Sequence, residues 1–148
     1  MTQIPVDFDV VALLTIRDGK MLLCRKKHTT SLLIWPGGGR EQGESSLDCL
    51  TRELREELGN VSISTPELVG VYTDRAAGPE TSRPKIVRIE LYRAELIGQP
   101  EARAEIAELV WFGERDDRAQ LAPSIVNQIV PDLLARGILP WRFRTQPA

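Results

Sequence analysis

The chain has little of what most specialised protein classes require. Among its 148 residues no apolar run approaches the length that spans a bilayer. No charged segment precedes an apolar stretch at the start, so no secretory leader is expected and the expected compartment is cytoplasmic. The two cysteines, Cys24 and Cys49, fit neither a metal-ligand spacing nor a disulfide framework. Both lie inside apolar patterns and read as buried free thiols. Repeats, low-complexity tracts and interdomain linkers are absent, which predicts one domain over residues 1–148 with a loosely ordered tail from about 142. The formal net charge of −2 argues against a nucleic-acid duplex as main partner, because a duplex demands a basic face. A small phosphorylated ligand needs only a few local cations and stays open. The sequence does not decide between a monomer and a homodimer.

What is present is ordinary in bulk, with 42% hydrophobic and 27% charged residues. The run VVALLTI at 10–16 is of the kind buried on both faces of a sheet. Asp18-Gly19 signals a tight hairpin turn, and residues 21–24 return as a second strand ending in Arg25-Lys26-Lys27. Residues 28–43 read as a long loop centred on Pro36-Gly37-Gly38-Gly39. A helix follows at 45–58, capped by Ser45 or Ser46 and stopped by Gly59, with Leu47, Leu50, Leu54 and Leu58 as its apolar stripe. Strands are predicted at 68–73, 86–96 and 109–112, and a last helix at 124–136 between Pro123 and Gly137. Strands, helix, strands, helix is the order of an α/β chain whose mixed sheet carries helices on its faces.

The informative stretch is 38–59. Glu53, Glu56 and Glu57 stand three and four residues apart, crowding like charge near a helix C-terminus, where the macrodipole also opposes them. Arg52 and Arg55 offset part of that cost. A bound cation is the simplest compensation, and clustered carboxylate oxygens suit a hard divalent ion, Mg²⁺ or Mn²⁺. The glycines just upstream let backbone groups approach a metal or a phosphate closely. Metal, glycine segment and acidic helix together point to diphosphate chemistry.

Gly38, Glu44, Arg52, Glu53, Leu54, Glu56, Glu57 and Gly59 match the pattern G-x5-E-x7-R-E-U-x-E-E-x-G-U, so the chain resembles the Nudix hydrolase family. Average residue usage gives such a match a chance on the order of 10⁻⁹ per start position. The last aliphatic position departs: it holds Asn60, with Val61 next to fill the place. The resemblance implies a Nudix-type α/β/α sandwich and Mg²⁺-dependent cleavage of a nucleoside diphosphate linked to another group. It implies Glu53, Glu56 and Glu57 as metal ligands, joined by the carbonyl of Gly37 or Gly38, and Glu44 with Arg52 as a brace between loop and helix. The base that activates water varies within the family; Glu53, Glu56 and Glu105 are the candidates, with Glu108 as the alternative in the last loop. No proline occurs at 67–78, where members acting on ADP-ribose tend to carry one, and Tyr72 lies closer to the box than in dinucleoside polyphosphate hydrolases. A nucleoside triphosphate is the substrate class left by default.

Outside the box, Arg25 is the preferred phosphate contact over Lys26 and Lys27, together with Gly37 and Gly38. Arg75 and Arg83 in the polar loop 74–84, and Lys85 just after it, are anion candidates. Trp35 and Tyr72 read first as buried packing, with base stacking as the second use. Trp111 reads as core, Trp141 and Phe143 as anchors of the tail, and His28 as a loop residue. Two rivals of another class stand beside the enzyme: a nucleotide-sensing module that keeps the fold without turnover, and an interaction domain whose acidic helix is plain surface. Retention of every box glutamate weighs against the first.

Overall fold

The computed structural model describes residues 5–28, 30–77 and 84–142. Strand β1 (Phe8–Leu14) lies inside the molecule because both of its faces are apolar. Val11 and Leu13 join the apolar cluster beneath helix α1 (Ser46–Leu58), while Ala12 and Leu14 join the opposite cluster beneath the C-terminal helical segment. Helices therefore cover both sides of one mixed sheet, a Nudix-type α/β/α sandwich.

Asp18 and Gly19 both take positive φ (51° and 74°), the conformation a two-residue type I′ turn needs. That turn joins β2 (Ile16–Arg17) to β3 (Lys20–Lys26). The expected loop over 28–43 contains a strand: β4 (Gly37–Gly39) pairs antiparallel with β1, Val11 opposite Gly38. A glycine-only strand carries no apolar alternation, so sequence pattern alone could not reveal it. Gly37 sits at φ 143°, and a Cβ there would collide with the Val11 carbonyl, so only glycine lies this close to β1.

Strand β5 (Ser62–Arg75) is more than twice the length expected. Its first half carries Thr65 at φ 47° and Pro66, with a register shift between Ser64 and Glu67. Proline and a bulge are tolerated there because β5 is an edge strand. Its neighbour β6 (Ile86–Ile97) runs parallel to β1, completing the four-stranded order β4-β1-β6-β5. The polar half of the β6 alternation is not a solvent face, since Glu90 is buried between Arg40 and the Tyr92 hydroxyl. A second sheet has the order β2-β3-β7, with β7 at Ile106–Phe112.

The C-terminal helical segment opens with a π-helical turn, Ile125–Ile129, and continues as α2 (Val130–Ala135). Pro131 has no N–H to donate to the Asn127 carbonyl, while Val130 N–H reaches back to Ile125, so the wider turn forms where an α-helical bond is lost. Gly137, at φ 70°, ends the segment as expected. Trp111 departs from its expected core role: it is half-buried, with the Arg17 guanidinium 5.3 Å from its ring centroid. Trp141 is buried and donates to the Gly19 carbonyl at 2.6 Å. Phe143 and Arg83 lie outside the described residues.

Leu54 is fully packed in the cluster under α1. Replacing it with alanine is expected to lower unfolding free energy by about 2–5 kcal/mol in urea titration. A loss below about 1 kcal/mol would show that this helix face is not packed as described.

Candidate functional site

Helix α1 is set by local signals at both ends. The Ser45 hydroxyl accepts from Asp48 N–H at 3.1 Å, and Gly59, at φ 89°, closes the C-terminus by donating to the Arg55 carbonyl. Beyond it Asn60 turns outward and Val61 enters the core, so the aliphatic place is filled one residue later. The segment before β7 then satisfies the helix's last carbonyls: Glu101 N–H bonds to Leu58 and Arg103 N–H to Glu57, both at 2.9 Å. The Arg103 side chain packs against Gly59, where a Cβ would lie 2.7 Å from its Nε. Glu105 is thereby fastened near the acidic end of the helix.

The same helix lies directly on β4. The Glu53 carboxyl occupies the volume that a Cβ on Gly38 would fill. Glu57 Oε1 accepts from Gly37 N–H at 2.9 Å, Arg52 donates to the Gly39 carbonyl at 3.0 Å, and Cys49 Sγ lies 3.6 Å from the Gly38 carbonyl. Arg52 grips both oxygens of Glu44, at 2.6 and 2.9 Å, and Glu44 also accepts from Glu41 N–H. These bonds hold the Glu44 carboxyl down at about 2, the Arg52 guanidinium being the main cause. A second latch runs from Arg40 to Ser46 and to buried Glu90.

The three acids differ in depth: Glu57 is 7% exposed, the Glu53 side chain 16% and that of Glu56 55%. Burial is the main force raising Glu57 to about 7; Gly37 N–H and Lys26 oppose it, while the charges of Glu53 and Glu105 add to it. The same burial, with Glu57 nearby, pushes the Cys24 thiol up to about 12. Among the described residues no three acidic, histidine or cysteine side chains are drawn together as a closed metal-binding group. Arg52 takes Glu53 at 2.9 Å and Glu56 at 3.4 Å. The donor set nevertheless fits a hard cation, because it offers carboxylate oxygens at one helix end, one of them buried with its proton affinity raised by that burial. Glu53, Glu56 and Glu57 are the residues that could hold it.

Gly37 and Gly38 also line a cavity of about 190 Å³ between β1, β6 and the C-terminal helical segment. Lys26 and Trp35 line it, and Ala76 and Ala77 bring the start of the 74–84 loop to its wall. Arg25 is not a lining residue: it pairs with Glu108 across the β3–β7 ladder and donates to the Ser31 carbonyl at 2.7 Å. Lys26, not Arg25, lines the cavity, next to a bulge where β7 carries one residue more than β3. Arg75 ends β5 on the exposed side and is likewise not a lining residue, and His28 is exposed. Tyr72 serves packing, its hydroxyl donating to Asp132 at 2.5 Å. The sequence ranked Lys26 below Arg25, and it missed the Arg40–Glu90 latch altogether. Glu90 alternates with apolar residues just as a solvent-facing acid would, so nothing marked it as buried.

A family model described as NUDIX domain matches residues 7–129. The chain belongs to the Nudix family. It is similar to the uncharacterized Nudix hydrolase YvcI of Bacillus subtilis, 28% identical over 131 residues, covering 88% of this chain and 82% of that one. The solution structure of the E. coli ORF135 protein superposes with a TM-score of 0.66 at 28% identity, covering 90% and 93% of the two chains. A Nudix hydrolase from Nitrosomonas europaea shares the fold, with TM-score 0.69, 24% identity and coverage of 87% and 89%. The protein is thus a pyrophosphohydrolase of a family that generally uses divalent metal ions and acts on small nucleotide-like substrates. Among the described residues no helix is long and apolar enough to cross a membrane.

Two outcomes follow from this geometry. Gly38→Ala must displace the Glu53 carboxyl, so turnover is expected to fall at least about a hundredfold with the circular dichroism spectrum retained; near-normal turnover would remove the close approach from the mechanism. For Glu57, the folded pKa of about 7 lies above the ordinary 4.5. Its contribution to folding is complete below about 4.5 and is lost as pH rises through 7. Metal-free wild type should therefore lose on the order of 3 kcal/mol relative to Glu57→Gln between pH 4.5 and 8, read by thermal melts of both proteins. Parallel stability curves would contradict the raised proton affinity of this buried carboxyl.

Proposed function

We propose that this enzyme hydrolyses a phosphoanhydride bond of nucleoside diphosphate-X compounds, with nucleoside triphosphates as substrate class and Mg²⁺ as the metal, Mn²⁺ substituting. The observation behind the reading is the seating of Glu53 over Gly38 and of Glu57 on Gly37, beside a cavity that shares those glycines. A divalent ion held by Glu53, Glu56 and Glu57 would supply charge neutralisation on the phosphate oxygens. The chain's own residues do the rest. The cavity takes the nucleoside side of the substrate, and Lys26 at its wall faces phosphate charge. Glu105 accepts the proton of the attacking water; the oxygen joins phosphorus as the bridging P–O bond breaks, giving a nucleoside monophosphate and phosphoryl-X. Glu105 suits this role better than Glu108, whose carboxylate is committed to Arg25.

The proposal places the enzyme in the cytoplasm, where such nucleotides are held. It allows a homodimer through Leu68 and Val71, exposed apolar residues on the edge strand β5, a point that light scattering decides. The likeness to YvcI, a Nudix hydrolase, supports hydrolytic chemistry and leaves the base open.

A substrate panel of nucleoside triphosphates, their oxidised forms, dinucleoside polyphosphates, nucleotide sugars and ADP-ribose, with Mg²⁺ or Mn²⁺ and products read by mass, tests the reading. Monophosphate release from triphosphates is expected, reduced by about 10²–10⁴ in Glu53→Gln and Glu105→Gln and little changed in Glu108→Gln. Preferred cleavage of ADP-ribose or a dinucleoside polyphosphate would replace the substrate class, and full activity in Glu105→Gln would remove that base.

A further inference from the structure

Trp35 stands apart from the other tryptophans. Trp141 gives its indole N–H to a backbone carbonyl, whereas Trp35 is 5% exposed and its Nε1 is the one buried side-chain polar atom among the described residues that finds no partner. Burying an N–H without an acceptor costs about 1–3 kcal/mol, and native structures keep few such groups. A phenylalanine in the same place would pack a similar ring without that cost.

The surroundings say what the donor is for. Trp35 lines the cavity, whose other walls include Val10, Ala12, Ile34, Val87 and Ile89. Among the described lining residues there is no carboxylate and no carboxamide; apart from Lys26, Thr30 and Ser124, Trp35 brings the only polar side chain. A flat heterocycle suits walls of this kind, with one in-plane acceptor to meet the indole N–H. Trp35 also precedes Pro36-Gly37 directly, so the residue that would hold the ring is two positions from the N–H that holds Glu57. Ring binding and diphosphate placement are thereby tied to one rigid stretch, whose Ile34 is bonded in both directions to Cys24 of β3.

We propose that Trp35 is a specificity residue, its Nε1–H donating to a carbonyl or ring-nitrogen acceptor on the base of the substrate. The assignment rests on the nucleotide-hydrolase reading above and deepens it: the site selects bases by an acceptor edge, and an edge presenting only amino groups at that point leaves the donor buried and unmet. Because the hydrogen bond lies on the base and not on the reacting phosphorus, it acts in binding substrate and transition state alike, so KM rather than kcat reports it.

The test uses the whole protein with Mg²⁺ and α,β-methylene nucleoside triphosphates, which resist cleavage at that linkage, with tripolyphosphate as the probe lacking a base. In ¹⁵N–¹H spectra the Trp35 indole signal is identified by its loss in Trp35→Phe or by elimination with Trp111→Phe and Trp141→Phe. Its proton is expected to move downfield with the base-bearing analogues and to stay in place with tripolyphosphate. Trp35→Phe should raise KM for the natural nucleotide about tenfold with kcat within twofold, and leave the inhibition constant of tripolyphosphate as it was. An enzyme that turns over nucleotides while its Trp35 indole proton stays still, or whose Trp35→Phe variant keeps its KM, overturns the assignment. A chain that binds the analogues with the indole shift yet cleaves no nucleotide supports the Trp35 donor and overturns the hydrolytic reading of its substrate instead.

Discussion

A helix side chain can enter the plane of a neighbouring strand only where that strand carries no Cβ. At Gly38 this protein meets the condition, and the Glu53 carboxyl occupies the vacated volume. Gly37 adds the complementary half, since its N–H faces the helix and takes Glu57. The rest of the site depends on this contact between α1 and β4. With a methyl group at position 38 the Glu53 carboxyl would be displaced and the helix end would stand off the sheet.

Such closeness concentrates negative charge at the worst end of a helix. The protein manages it with a small set of fixed cations and hydrogen bonds, and the result is uneven by design of the packing. Arg52 ties Glu44, Glu53 and Glu56 into one network and fixes the turn before the helix through the Gly39 carbonyl. Glu57 lies deeper, and burial outweighs the Gly37 N–H and the charge of Lys26, so its carboxyl pKa is raised to about 7. A deep carboxyl of raised proton affinity beside shallower carboxyls is an arrangement in which a divalent cation gains, because it can take the place of a proton that burial favours.

The sandwich serves this arrangement by presenting it at one edge of the β1 layer. Strand β1 supplies the neighbour against which β4 lies, and through its other ladder positions β6 as the cavity floor. The acidic end of α1 lies on one side of β4 and the apolar cavity on the other, so one short strand separates chemistry from recognition. The segment after α1 closes the frame, bonding the helix carbonyls and carrying Glu105 back to the same place.

Much of this was legible in the chain of residues. The box at 38–59 declared its family, because its spacing encodes a helix face and a glycine approach at once. The helix ends at Ser45 and Gly59, the Asp18-Gly19 hairpin and the two-faced strand at 10–16 were also readable, each from local chemistry that needs no distant partner. What the sequence could not decide were choices made by long-range pairing. The glycine strand exists only because β1 lies beside it, and the front of β5 only because an edge tolerates Pro66 and a bulge. Lys26 rather than Arg25 lines the cavity while Arg25 pairs with Glu108 of β7, and Glu90 is buried where Arg40 arrives from another segment. Local spacing determined which chemistry the chain contains; tertiary register decided which side chains stand within reach of it, because alternation fixes a face only once the partner strand has been chosen.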